Sequence, residues 1–221
     1  QYLVTDIEAV ATDGEFVVHG GLNFGAGTDD YRVLDMTGAV VTGFEGTTGT
    51  TINCAAVDGL FAWMGTSTGG LRRYDYRNNS ISSWFTIPGA PTSQSCVAVG
   101  ESLVFLGGDV DAAGISVRAI SKGDAAAAVE VWTNLDIGTA VTNMCYDGKW
   151  LYVARNLTEV FVLDPNTGKI VFTFDFGGTA NVNNMHSDGF ALFTGGDQEA
   201  GDVVWRHNIH KKPTFVTPGG T

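Results

Sequence analysis

The thirty residues from Asp147 to Phe176, DGKWLYVARNLTEVFVLDPNTGKIVFTFDF, decide the fold. They divide into three short strands: KWLYVA (Lys149 to Ala154), EVFVLD (Glu159 to Asp164) and KIVFTFDF (Lys169 to Phe176). Asp147-Gly148 opens the segment as a tight turn. Pro165-Asn166-Thr167-Gly168 makes a second one, in which proline presets one backbone dihedral and glycine accepts a positive one. Just upstream, TNMCYDG (Thr142 to Gly148) ends a strand that runs into the first turn, giving four strands in all.

The same plan recurs along the chain. Its turns are Asp13-Gly14, Asp58-Gly59, Gly100-Glu101, Asp147-Gly148 and Asp188-Gly189, at intervals of 45, 42, 47 and 41 residues. That period is the one expected of a propeller blade. After the turns stand DGEFVVHGG, DGLFAWMGT, GESLVFLGG, DGKWLYVAR and DGFALFTGG. Apolar residues occupy successive positions, so both faces are apolar, as in a strand held between neighbouring layers. Seven residues past each turn comes a small residue, Gly20, Gly65, Gly107, Ala154 or Gly195, where the next hairpin is expected to begin. No stretch has a useful helical apolar period, the run Ala125 to Ala128 being too short. The reading is all-β: a five-bladed β-propeller of four-stranded antiparallel blades.

At 221 residues, with 44% hydrophobic residues and 30 Gly, the chain suits one compact domain with many turns. The expected blades span about 6–46, 51–89, 93–136, 140–178 and 181–218 of a single domain, 1–221. Trp63, Trp84, Trp132 and Trp150 fall on strand positions and are read as packing between blades. Complete blades in contact make the simplest closed ring. The strand-like Gln1 to Thr5 offers another closure, against the outer edge of the last blade, where Pro213 and Pro218 suit an edge.

The Asp147 to Phe176 segment, and within it the elements V-x-V-L-D-P-x-T-G-K, resembles repeats of the quinoprotein-like (PQQ-like/YVTN-type) β-propeller superfamily. The resemblance implies fold, because such repeats occur in enzymes, binding proteins and scaffolds alike. It implies no bound quinone, and no cofactor is expected.

The formal charge of −12, from 12 Lys+Arg and 24 Asp+Glu, should repel nucleic acid and anionic membranes. No apolar run is long enough to cross a bilayer as a helix. Cys54, Cys96 and Cys145 lie in first strands at what read as nearly equivalent places, and are expected to be buried free thiols. Their odd number and the lack of a C-x-x-C pair argue against a disulfide framework or a zinc site. The start at Gln1, with neither Met nor signal peptide, fits a processed secreted or virion protein or an excised domain. An acidic, lysine-poor composition with Thr/Gly-rich loops leans the same way, toward an extracellular or virion-surface setting.

Catalytic patterns fare poorly. Gly65-Thr66-Ser67-Thr68-Gly69 fits G-x-S-x-G, but it joins two strands, whereas that nucleophile needs a strand-to-helix turn. Asp109-Val110-Asp111-Ala112-Ala113-Gly114 starts like a calcium loop, yet Ala113 and Ile120 stand where two ligands belong. His19, His186, His207 and His210 are scattered, and no metal site is expected. A glycosidase needs two acids facing one bond. Asp6 and Glu8 lie in the first inner strand, but the corresponding regions of the others carry Asn53, Ser95, Asn143 and Asn184, so the channel reads as polar and uncharged.

A surface for recognition is the better expectation. The loops opposite the Asp-Gly turns carry the candidate ligand-binding residues Asn23, Phe24, Asp29, Asp30, Ser67, Thr68, Asp109, Asp111, Asn156, Asp197 and Glu199. No residue is assigned a catalytic role. The expected function is a non-catalytic recognition or structural module that binds a protein assembly partner or a surface glycan. A lectin with one pocket per blade and a five-bladed glycoside hydrolase are the alternatives.

Overall fold

A computed structural model describes residues 7–12, 14–24, 29–46, 50–75, 78, 80–88, 93–123, 128–155, 158–175, 182, 184–196 and 203–208. The fold is all-β, a five-bladed β-propeller. Sheet one holds β1 (Ile7–Thr12), β2 (Phe16–Phe24), β3 (Asp29–Asp35) and β4 (Val40–Gly46); sheet two holds β5 (Ile52–Val57), β6 (Phe61–Thr66), β7 (Gly70–Asp75) and β8 (Ser80–Thr86). Sheet three comprises β9 (Gln94–Val99), β10 (Leu103–Gly108), β11 (Val117–Ser121) and β12 (Glu130–Asn134), and sheet four β13 (Val141–Tyr146), β14 (Leu151–Arg155), β15 (Glu159–Leu163) and β16 (Ile170–Asp175). In sheet five the described strands are β17 (Asn184–Ser187), β18 (Ala191–Gly196) and β19 (Val203–Asn208). Each sheet is an antiparallel meander in chain order, its first strand innermost. The fourth strand expected for the last blade and the Gln1 to Thr5 closure both lie outside the described residues.

The Asp-Gly turns form for a local reason. Gly14, Gly59, Gly148 and Gly189 have φ of 92°, 80°, 91° and 81°, which a residue without Cβ adopts freely. The aspartate then accepts the next N–H groups: Asp58 Oδ1 from Leu60 and Phe61, Asp147 Oδ1 from Lys149 and Trp150, Asp188 Oδ1 from Phe190 and Ala191. These carboxylates are structural caps. At Gly100 the same backbone turn closes without a carboxylate, the Gly100 N–H donating to Leu103 O at 2.8 Å.

Packing between sheets supplies the core. Within sheet two Trp63 meets Trp84 edge-on with ring centroids 5.2 Å apart, and the pair shares a core cluster with Val104, Leu106 and Ile120 of sheet three, inside which Trp132 lies 5.9 Å from Phe105. Trp63, Trp84 and Trp132 are buried, as their strand positions imply, while Trp150 is half-buried immediately before β14. Each such side chain contributes roughly 1.5–3 kcal/mol by transfer from water.

The small residues past the turns have a different cause from the one their sequence suggests. Gly20, Gly65, Gly107, Ala154 and Gly195 are still within second strands. A Cβ on Gly20 would lie 2.5 Å from Ile52 Cγ2, and one on Gly107 would lie 3.0 Å from Val141 Cγ1. Smallness here makes room for the first strand of the following sheet.

Candidate functional site

The five first strands surround an axial channel of about 620 Å³. Its wall includes Glu8, Asn53, Ser95, Asn143, Asn184 and His186, with alanine, valine and methionine between them. Glu8 is the one carboxylate among the described lining residues. Asp6 lies outside the described residues.

Register refines the equivalences read from sequence. Ala9, Cys54, Cys96, Asn143 and Asn184 pair with Gly20, Gly65, Gly107, Ala154 and Gly195. In four sheets the pairing slips just before this position, leaving Glu8, Asn53, Ser95 and Thr142 as the extra residue of a β-bulge. Asn143 and Asn184 therefore sit one place beyond the counterparts of Glu8, and Thr142 takes the bulge position in sheet four. Cys145 pairs with Tyr152, two residues beyond the place shared by Cys54 and Cys96, so the three cysteines are not equivalent. The bulge polar groups tie neighbouring sheets together: Asn53 Nδ2 donates to Ser93 Oγ at 2.7 Å, and Thr142 Oγ1 donates to Val182 O at 3.1 Å.

All three thiols are free. Burial pushes the Cys54 thiol up to about 12 and raises Cys96 well above the ordinary range, with the neighbouring Cys54 adding to the shift. Burial followed by the charge of Asp147 pushes Cys145 up to about 12. None is a thiolate nucleophile near neutral pH.

The loop-face candidates fall into separate groups. Asn23 and Phe24 end β2 and Asp29 begins β3, with Phe24 paired to Asp29, so these three candidates lie in the strands of the hairpin rather than in a loop. Asp30 is buried, with 3% of its surface exposed. Ser67 Oγ lies 3.0 Å from Thr50 Oγ1, and Thr68 Oγ1 lies 3.2 Å from the same hydroxyl. Ser67 sits in the hairpin between β6 and β7, with another hydroxyl as its side-chain partner, so the environment lacks the helix and base of a nucleophile elbow.

Asp109 is exposed, whereas Asp111 is committed. Asp111 Oδ1 accepts the N–H groups of Ala113 and Ile115, its Oδ2 pairs with Arg118, and Arg118 also reaches Glu130 at 2.6 Å. A guanidinium therefore occupies the face a calcium ion would need. Asn156, Asp197 and Glu199 lie outside the described residues.

Among the described residues, no group of three or more His, Cys, Asp or Glu side chains is placed to hold a metal ion. Burial, and then the nearby Arg32, lower the pKa of His19; burial lowers that of His207, whose Nε2 lies 3.2 Å from Thr194 Oγ1. His210 is outside the described residues. No described helix is long and apolar enough to cross a membrane.

The sequence matches no family model and no curated protein. Its fold is similar to solved structures. A chain of the "Crystal Structure of Mitotic Checkpoint Complex" aligns over 91% of this chain and 63% of its own length, with a TM-score of 0.68 and 16% identity. BamB from Moraxella catarrhalis aligns over 92% of this chain and 59% of its own length, with a TM-score of 0.64 and 19% identity. The chain thus spans about three fifths of the length of the structures it matches. The likeness to BamB agrees with the quinoprotein-like repeat resemblance at the level of fold.

Proposed function

We propose that this chain is a non-catalytic recognition module that binds a protein partner through its loop face, in an extracellular or virion-surface setting. The observation that carries the reading is the composition of the channel wall, in which Glu8 stands among amides, hydroxyls and aliphatic side chains without a facing described acid. Glycoside hydrolysis requires that second carboxylate. The repeated aspartates are used as turn caps, and Asp111 is held by Arg118. What remains accessible on the loop face is short-chain polar chemistry suited to hydrogen-bonded recognition, including the exposed Thr68 and Asp109.

A protein partner is favoured over a lectin's repeated sugar pockets because the loop chemistry differs from sheet to sheet. Sheet two presents a hydroxyl cluster, and sheet three a loop organised by an ion pair. A likeness to a chain within a checkpoint complex is consistent with assembly into a larger particle. The net charge of −12 disfavours nucleic acid as the partner.

Native mass measurement of the particle containing this chain, joined to a glycan array, tests the reading. The expected result is a defined assembly that loses this chain when Thr68 and Asp109 are both changed to Lys, with a silent array. Specific glycan binding abolished by the same variant would favour the lectin. Hydrolysis of an arabinan or fructan that disappears in Glu8→Gln would establish the enzyme instead.

A further inference from the structure

Three turns of one backbone form carry the same cap. In each, the N–H of the first residue donates to the carbonyl three places on: Asp58 to Phe61 at 3.1 Å, Asp147 to Trp150 at 3.2 Å and Asp188 to Ala191 at 3.3 Å. The Oδ1 of that aspartate then accepts the N–H groups two and three places on. The distances are 3.2 and 2.9 Å at Asp58, 2.8 and 2.6 Å at Asp147, and 2.8 and 2.7 Å at Asp188. The turn backbone is thus a two-pronged carboxylate receptor, and each of these repeats fills it with its own side chain.

Sheet three keeps the receptor and lacks the side chain. Gly100 N–H donates to Leu103 O at 2.8 Å, so the backbone form is the same, but position 100 carries no carboxylate. Among the described residues nothing accepts from the N–H groups of Ser102 and Leu103. The strand ladder does not use the Leu103 N–H either. Lys122 N–H donates to Ser102 O at 2.9 Å, which makes Leu103 and Ser121 a pair without mutual hydrogen bonds.

A cleft of about 280 Å³ opens at this turn, with Gly100, Ser102 and Leu103 of sheet three in one wall and Tyr146 and Lys149 of sheet four in the other. Tyr146 is half-buried, and its hydroxyl has no partner among the described residues. Burial, and then the charges of Asp147 and Glu101, raise the pKa of that phenol, so it stays a donor. Lys149 is exposed, with Nζ 5.3 Å from the Trp150 ring and no ion pair among the described residues. Glu101 also lines the cleft and balances the charge of Lys149. A neutral lining with several donors suits a singly charged carboxylate set among peptide groups better than a phosphate.

We propose that the cleft at Gly100 binds the carboxylate of an acidic side chain from a protein partner, seated on the Ser102 and Leu103 N–H groups where the other turns seat their own aspartate. The sibling turns display this occupant, a carboxylate carried on a peptide chain. Hydrogen bonds from backbone N–H to an ionised carboxylate are about twice as strong as neutral ones, so exchanging water for carboxylate at both prongs favours binding. Lys149 adds a charge and Tyr146 a third donor from the opposite wall. The site lies on the face of the Asp-Gly turns, so it is additional to the loop face and independent of what binds there.

Nitrogen-edited NMR of the full chain, titrated with the blocked peptide acetyl-Gly-Asp-Gly-Gly-amide, tests the site. The Ser102 and Leu103 amide protons are expected to move downfield and saturate, and the Asn counterpart of the peptide to bind about tenfold more weakly. Lys149→Gln should weaken the Asp peptide about two- to fivefold. Gly100→Asp supplies the carboxylate from within, so the two resonances should begin downfield and no longer respond. The new Cβ meets Phe105 Cε2 at 3.2 Å, which asks the ring to shift by a few tenths of an ångström. No saturable movement at these two amides, or an equal response to the Asn peptide, would overturn the proposal. Sodium acetate binding as tightly as the peptide would overturn it in favour of a free small acid. Should Gly100→Asp fail to fold, the Asp and Asn peptides on the unaltered chain, together with Lys149→Gln, decide.

Discussion

The indole Nε1 of Trp132 donates to the carbonyl oxygen of Pro165 at 2.8 Å, joining the outer strand of sheet three to a turn of sheet four. Asn134 Nδ2 reinforces the contact by donating to Gly168 O at 2.7 Å. Gly168 is fixed twice: its φ is 69°, and a Cβ there would lie 2.4 Å from Trp132 Cε3. Gly168→Ala should therefore cost about 2–4 kcal/mol, from the left-handed backbone and overpacking together. Trp132→Phe, which leaves the Pro165 carbonyl buried without its donor, should cost about 1–3 kcal/mol. Urea denaturation followed by tryptophan fluorescence measures both, and a midpoint unchanged in Gly168→Ala would remove this junction from the account of stability.

Asp58 should govern part of the acid limb of stability. Burial acts to raise its pKa, but Lys122 at 2.6 Å, Trp63 Nε1 at 3.0 Å and the Phe61 N–H outweigh that, and the net shift is downward. A depressed folded pKa gives stability that is complete above the ordinary carboxylate range and is lost as pH falls through the folded value. Asp58→Asn should cost about 1–2 kcal/mol at pH 7, with partial exposure limiting the ionic share. Melts from pH 7 down to pH 2 should show the two proteins converging in acid.

Asp111 and Arg118 form a pair whose side chains are each 5% exposed. Asp111→Ala leaves the buried guanidinium with Glu130 as its remaining carboxylate and should cost about 2–4 kcal/mol. The same geometry predicts indifference to calcium, since the carboxylate already faces a cation. Equal melting midpoints in excess calcium and in chelator are expected, and a calcium-dependent rise lost in Asp111→Ala would show that the ion displaces Arg118.

The thiols should be silent in the folded protein. With Cys54 and Cys145 pushed up to about 12 by burial, thiolate is scarce at pH 8, and access to Cys54 and Cys96 is blocked as well. A disulfide reagent should titrate almost no thiol in native buffer and all 3 Cys in urea. Fast reaction of one cysteine in the native state would instead mark an opening at its junction.

Counting from the turns makes much of the site legible without coordinates. Five places before the first four turns stand Glu8, Asn53, Ser95 and Thr142, the residues that the bulges set apart, and this count would have separated Asn143 from that set and Cys145 from the other cysteines. The burial of Asp30 and the commitment of Asp111 to Arg118 were not legible, because each depends on where a neighbouring strand lies across the sheet.

The repeat, the turns and the strand order follow from the chain's local chemistry alone, since turn dihedral preferences and short apolar runs between the turns are carried within each segment. How the repeats meet is a matter of tertiary packing. Ile7 and Ile52 occupy the same place in their repeats, yet one is half exposed and the other wholly buried. Ile52 is buried against Gly20 of the preceding sheet, a contact made only by the arrangement of complete sheets about the channel.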